Sequence, residues 1–387
     1  MPIVIRLKLI LGLYSMNINQ ALKQQGFSLI EIMVGLAVGL LAALVILNVF
    51  DVFEQQKRST SGNSDAQTNG AIALFNLQRD LQMAGYGLPV YGPNISPFNC
   101  PINTTVDHDN VAATAAIGLS PVVITDGGTG SDVISIHLGD SMKGGIAVSM
   151  EAGTATNVVQ VDSNIGCAAG DIALVLNQPG STPALNCSMS RVIVGGISAV
   201  GVTPVTIALS SSANVAVGNS LACLGAWNEI QYTVNNNQLT RSGTVVAGVP
   251  NATAVPVVPD VVNIQAQYGI SAVGNNNRII QWVDATGIWA TTATTPVLAN
   301  RNRIKAIRVA VVARNGSLQN GNITATCSSL TTANPTGLCA WDGASTGSAA
   351  PSINLTADTN WRRYRYRVYE SIIPIKNIIW SRGNNLL

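Results

Sequence analysis

The chain has 387 residues, of which only 10% are charged and 5% aromatic, and it contains 36 glycines. Formal net charge is +2, but residues 1–26 hold Arg6, Lys8 and Lys23 and no acid, which leaves 18 basic against 19 acidic residues, a net of −1. So neutral a body excludes bulk nucleic-acid binding driven by charge, and the composition is that of a β-rich exported protein, not of a charged cytosolic enzyme.

Taken in chain order, residues 1–26 read as a leader. MPIVIRLKLILGLYS is unlike a short basic leader, whereas MNINQALKQQG from Met16 is compact and ends at Gly26, so Met16 is the expected start. Phe27 to Phe50 then form an apolar run with one charge, Glu31. At ~1.5 Å per residue this run covers ~36 Å, enough for a bilayer core. Lys23 lies on one side and Lys57 and Arg58 on the other, so basic bias does not fix orientation. An ordinary secretory signal wants a shorter apolar run and a small-x-small site, and Asn48-Val49-Phe50-Asp51 offers none. A plain membrane anchor leaves Glu31 unexplained, because a carboxylate in an apolar span costs several kcal/mol unless it is paired.

Gly26-Phe27-Ser28-Leu29-Ile30-Glu31 resembles the type IV prepilin signature. The resemblance implies that a prepilin peptidase cuts between Gly26 and Phe27. It implies that Phe27 becomes the N-methylated first residue, and that Glu31 of one subunit pairs with the Phe27 amine of another during assembly. Such pairing relieves the desolvation of both charges and helps set the axial register. Many major pilins carry a proline in the membrane half of this helix; Asn48 stands at that position here.

Beyond the span, Ser59–Asp65 is polar and contains Gly62, which predicts a weak point or break in the helix. Ala71, Leu74, Leu77, Leu81 and Ala84 then recur at helical spacing as a packing stripe. Gly85 and Gly87, followed by Pro89, predict its end. From there short β-like runs follow: Ser131–Leu138, Ile172–Leu176, Val192–Val194, Glu229–Val234, Val261–Tyr268 and Ile304–Arg314. Asn235-Asn236-Asn237 predicts a hairpin turn. In Ile304–Arg314, Ile307, Val309 and Val311 share one face, with Arg308, Ala310, Val312 and Arg314 opposite. The expected fold class is therefore α+β. A leader over 1–26 precedes a transmembrane and assembly helix over 27–86 and a β-rich head over 87–387, as one unit or two sub-lobes.

Cys100, Cys167, Cys187, Cys223, Cys327 and Cys339 all follow the apolar run, an even count that reads as disulfides in an exported region. Six cysteines allow 15 pairings. Cys327 with Cys339 is the expected pair, with a turn over Asn334-Pro335-Thr336-Gly337 between them. No nucleophile elbow, P-loop or dinucleotide fingerprint occurs. Asp107-His108-Asp109 reads as a solvated loop and His137 as a packed or surface strand residue. Gly127 through Ser135 fits one copy of a calcium nonapeptide that works only by stacking, so a glycine-rich turn entering a strand explains it better. In Trp361–Tyr369, Arg363, Arg365 and Arg367 would share one strand face, a basic surface for local acids or the next subunit, with single-stranded nucleic acid as the competing reading.

The segments Leu77–Leu81, Ala84–Gly87, Ser131–Val133, Gly170–Ile172, Tyr232–Val234 with Leu239–Arg241, Val262–Gly269, Ile307–Val309 and Ile373–Asn377, in this order, resemble the PilW family of minor pilins. Lys376 stands where arginine is expected, which keeps the charge and loses bidentate bonding. The resemblance implies a structural protein, not an enzyme, without cofactor or metal, that helps start type IV pili and sits at or near their tip. Implied partners are prepilin peptidase, other minor pilins, the major pilin, the inner-membrane assembly platform and a large tip adhesin. The implied location is the inner membrane, head in the periplasm, and then the surface pilus. A minor pseudopilin of a type II secretion system, or a pilus-borne adhesin or DNA-uptake subunit, are the alternatives.

Overall fold

The structure, a computed structural model, describes residues 26–88, 120–142, 145–155, 157–176, 187–199, 202–210, 217–245, 253–272, 278–290, 303–328, 333–334, 337–341 and 350–377. It divides into two compact units, 1–56 and 57–387. In the first unit the described chain is helical from Leu29, and its large apolar side chains from Phe27 to Phe53 are exposed. The stretch is long and apolar enough to cross a membrane by length and composition.

One helix, α1 (Leu29–Gln82), runs through 54 residues without interruption. The predicted break at Ser59–Asp65 is therefore absent, and packing explains why. Gly62, Ala66, Gly70, Ala73, Leu77, Asp80 and Leu81 form the buried face, so the glycines mark close approach, not a hinge. A Cβ on Gly62 would meet the Asn315 side chain at 3.0 Å, and one on Gly70 would overlap the Tyr369 ring. The packing stripe runs through Ala73, Leu77, Leu81 and Ala84, with Leu74 half-buried; Ala71, expected in it, is exposed. The helix ends at Gln82, and the turn that follows it carries Gly85 (φ 74°) and Gly87 (φ 76°) in the left-handed region.

The strands of the head are, in order, β1 (Val122–Thr125), β2 (Val133–Gly139), β3 (Ala147–Ala155), β4 (Val158–Val161), β5 (Ile172–Leu176), β6 (Cys187–Ile197), β7 (Val205–Leu209), β8 (Ser220–Gly225), β9 (Trp227–Asn235) and β10 (Gln238–Val245). They continue with β11 (Val255–Pro259), β12 (Val261–Ser271), β13 (Ile279–Val283), β14 (Ile304–Arg314), β15 (Cys327–Ser328), β16 (Ala333–Asn334), β17 (Gly337–Cys339), β18 (Ser352–Asn354) and β19 (Tyr366–Pro374). One sheet has the order β1-β2-β9-β10-β11 and a second the order β13-β12-β14-β19. Both share a core with the helix, built from Leu77, Leu81, Ile134, Tyr232, Ile264, Ile307 and Val311 among others.

Between β2 and β9 the chain makes an excursion, β3 to β8, that closes into a six-stranded barrel in the order β3-β4-β7-β6-β5-β8. It leaves at Gly139 and returns at Trp227, which are paired neighbours in the first sheet. The barrel has its own core, including Val148, Val159, Val175, Val192, Ile207 and Leu221. Strands β5 and β8 are buried on both faces: Ala173, Val175, Leu221 and Cys223 point into the barrel, while Ile172, Leu174, Ala222 and Leu224 join the main core. Period-2 alternation thus lets two strands serve two cores.

The predicted strands at 172–176 and 304–314 coincide with β5 and β14. The hairpin is also as expected: Asn235 pairs with Gln238, and Asn236 and Asn237 both have positive φ (49° and 58°), the two-residue turn that asparagine tolerates. Both faces of β14 are buried. Ile307, Val309 and Val311 face the main core, while Ala310 and Val312 lie under an outer layer of Ala340, Ile353, Leu355 and Trp361.

Helix propensity favours alanine over glycine by about 1 kcal/mol in an open helix. At Gly70 the Tyr369 ring reverses that sign. The Gly70→Ala variant is expected to lose about 1–3 kcal/mol in denaturant unfolding. Combining it with Tyr369→Ala should recover part of the loss in a double-mutant cycle.

Candidate assembly site

At the start of α1, Gly26, Phe27 and Ser28 lie outside the helix. The Ser28 carbonyl accepts the backbone N–H groups of Glu31 (2.9 Å) and Ile32 (3.2 Å), closing the first turn. Phe27 is 80% exposed, and Glu31 stands in that first turn, where the partial positive charge of the helix terminus favours a carboxylate. The Gly26–Phe27 peptide is thus non-helical, next to a helix whose apolar side chains have no cover. Residues 1–25, including Met16, lie outside the described residues.

At its other end the helix is clamped to the head by a buried carboxylate. Asp80 accepts a hydrogen bond from the Tyr232 hydroxyl at 2.7 Å and one from Arg241 Nε at 2.9 Å, while its second oxygen accepts from Arg79 Nε at 3.0 Å. Burial alone would raise the Asp80 pKa; the bonds from Tyr232 and Arg241, and the charge of Arg241, outweigh it and hold the carboxyl below its ordinary value. Tyr232 is pushed up by burial and by Asp80. Sequence reasoning assigned no role to this triad, although an acid placed between Leu77 and Leu81 on the buried stripe is a signal of it. The C-terminal tail adds a second tie, because Asn377 Nδ2 donates to the Ala84 carbonyl at 2.9 Å.

The glycine-rich turn before β2 is a structural hub. Asp132 is buried, and its two oxygens accept the backbone N–H groups of Gly127 (2.8 Å) and Ala266 (2.7 Å). This ties the glycine-rich turn and β2 of the first sheet to β12 of the second. Burial pushes the Asp132 pKa up to about 7, against the pull of those amides. His137 is buried and stacked on Trp227, with Nδ1 2.6 Å from the Ser120 carbonyl. Asp107, His108 and Asp109 lie outside the described residues.

The Cys327–Cys339 bridge is present, and Cys167 pairs with Cys223 at the barrel core. Cys100 and the side chain of Cys187 lie outside the described residues. The three arginines expected on one strand face are not so arranged. Arg363 ends a 3-10 turn and Arg365 precedes β19, leaving only Arg367 on the strand. The turn is set by Trp361, which is buried in the outer layer. On the outer face of β14, the Arg308 guanidinium is stacked between Trp282 (5.2 Å) and Trp341 (4.4 Å), and Nε donates to Gln267 at 2.6 Å.

Residues 22–47 match the family model of the prokaryotic N-terminal methylation motif, and residues 230–377 match that of type IV pilus-assembly protein W. The second match begins within β9, so the barrel lies outside both stretches. No curated protein and no solved structure matches the chain.

Removing the buried carboxylate leaves Tyr232 and Arg241 without their acceptor, so the Asp80→Ala variant is expected to lose about 3 kcal/mol in chemical denaturation. Asp132 acts oppositely with pH. Its folded pKa is raised, so its contribution is full below the ordinary carboxylate pKa of 3.8 and is lost as pH rises to about 7. A melting-temperature profile between those limits should therefore decline less steeply in Asp132→Asn than in the natural chain.

Proposed function

We propose that this chain, which matches a PilW-family prepilin-type pilin, is a minor pilin that primes type IV pilus assembly and is incorporated at or near the tip. One observation carries the reading. The methylation motif opens an apolar, uncovered helix half, and the same helix continues unbroken into a head whose C-terminal part matches the pilus-assembly family. The family is one of structural pilins, not of enzymes. The motif and the apolar helix fit inner-membrane anchoring and pilus assembly.

Prepilin peptidase hydrolyses the Gly26–Phe27 peptide and frees the Phe27 amine, which is then N-methylated and stays positive. In the apolar interior of a filament that charge is costly alone. Glu31 of an adjoining subunit supplies the opposite charge, and a subunit that keeps this glutamate can dock beneath another's amine. Other minor pilins, the major pilin and the inner-membrane platform are the partners of that step, with a large adhesin as tip cargo. The head faces the periplasm before assembly.

Deleting the gene in cells that cannot retract pili tests the proposal. Surface pili should vanish or fall sharply, return with the natural chain, and fail to return with an uncleavable Gly26→Val variant. Normal piliation, with exported proteins retained in the periplasm, would overturn it in favour of a secretion pseudopilin.

A further inference from the structure

Four arginines lie in the short segment 362–367, which touches the helix through Arg367 and Arg365. Arg367 Nε donates to Asn63 Oδ1 at 3.3 Å, and the backbone N–H of Arg365 donates to Asn315, whose side chain packs on Gly62. The Arg362 and Arg363 guanidinium groups donate to the Thr324 (3.3 Å) and Gln319 (2.9 Å) carbonyls. Arg363 also reaches Asn360 Oδ1 at 3.4 Å. Lys57 is exposed on the helix six residues before Asn63. Every one of these acceptors is neutral, so the bonds orient the guanidinium groups without cancelling their charge. Neighbouring acids are turned elsewhere: Asp358 pairs with Arg314 at 3.0 Å, and Asp260 lies in the field of the same guanidinium. Asp65 is exposed on the same helix, and its field reaches Asp260.

The position of this group along the chain selects its partner. Phe53 is the last large side chain of the exposed apolar run, and Asn63 follows ten residues later on the same helix. Charges act through about 8 Å of saline, and ten residues of chain tether the arginine that binds Asn63 to whatever surface the apolar run enters. We propose that Lys57, Arg362, Arg363, Arg365 and Arg367 form a basic collar that seats the head on anionic phospholipid headgroups while the subunit waits in the membrane. Nucleic acid fits the same cations less well, because the stacking surface it needs is occupied. The Arg314 guanidinium covers the Tyr364 ring at 4.1 Å, and Tyr366 packs against the outer-layer core. The collar would be released on assembly, when the apolar helix half leaves the bilayer.

The inference rests on the membrane-anchored reading and is tested separately from it. The full chain is reconstituted in nanodiscs of phosphatidylcholine, with or without phosphatidylglycerol, and hydrogen exchange is followed over 362–368. Slower exchange in the anionic discs, reversed by raised salt, is expected, and the Arg362→Ser/Arg365→Ser/Arg367→Ser variant should lose it. Each charge removed should weaken head–membrane association about fivefold. An unchanged melting temperature in the variant separates loss of binding from loss of fold. A chain that enters the discs yet exchanges alike in both lipid compositions overturns the collar. So does protection by a single-stranded oligonucleotide in neutral discs with none from the anionic lipid. A chain that fails to enter discs overturns the anchored reading instead.

Discussion

The whole architecture depends on one helix serving two environments. Over its first half α1 presents apolar side chains in every direction, which only lipid or other apolar helices can satisfy. Over its second half it must lie flat on two sheets, and small residues make that approach possible. Gly62, Ala66, Gly70 and Ala73 bring the helix backbone close enough for Tyr369 and Asn315 to lie directly upon it. Small residues give little burial energy of their own. The join is therefore completed by Leu77 and Leu81 and by the Asp80 clamp, which fixes helix to sheet through charge-assisted hydrogen bonds.

The head solves a different problem, that of adding a module without disturbing the sheet that holds the helix. Strands β2 and β9 are paired neighbours although the whole barrel separates them in sequence. An excursion that leaves and returns at adjacent points imposes no change of register on its host. The barrel is nevertheless not loosely hung, because the outward residues of β5 and β8 are part of the main core. The family match starts at β9, on the far side of the excursion, and covers the strands that build the second sheet and the tail that returns to the helix end.

How much of this was legible in the sequence follows from the range of the interactions involved. The Phe27–Phe50 run, the twin-asparagine hairpin turn and the alternation in β14 are local patterns, and each appears as expected. Gly62 misled because a glycine in a polar stretch looks the same whether it loosens a helix or lets an Asn315 side chain approach it; only the distant partner tells them apart. Asp80 was silent for a related reason, since Tyr232 and Arg241 lie about 150 residues away in the chain. The arginines of the C-terminal segment alternate with aromatics as a strand would, yet burial of Trp361 forces a 3-10 turn first and breaks the shared face.

The same contrast separates the charges that hold the fold from those left over. Asp80, Asp132 and Arg308 are buried, and each is bound by specific donors, acceptors or aromatic faces, so none is available to a partner. The arginines of the 362–367 segment are arranged differently. Their bonds go to neutral oxygens, which fix direction but leave a local excess of positive charge. A chain whose residues 27–387 carry a net charge of −1 has no general attraction for anions. A local excess of this kind therefore acts only on an anionic surface held within about 8 Å, which is what the proposed membrane anchor would supply.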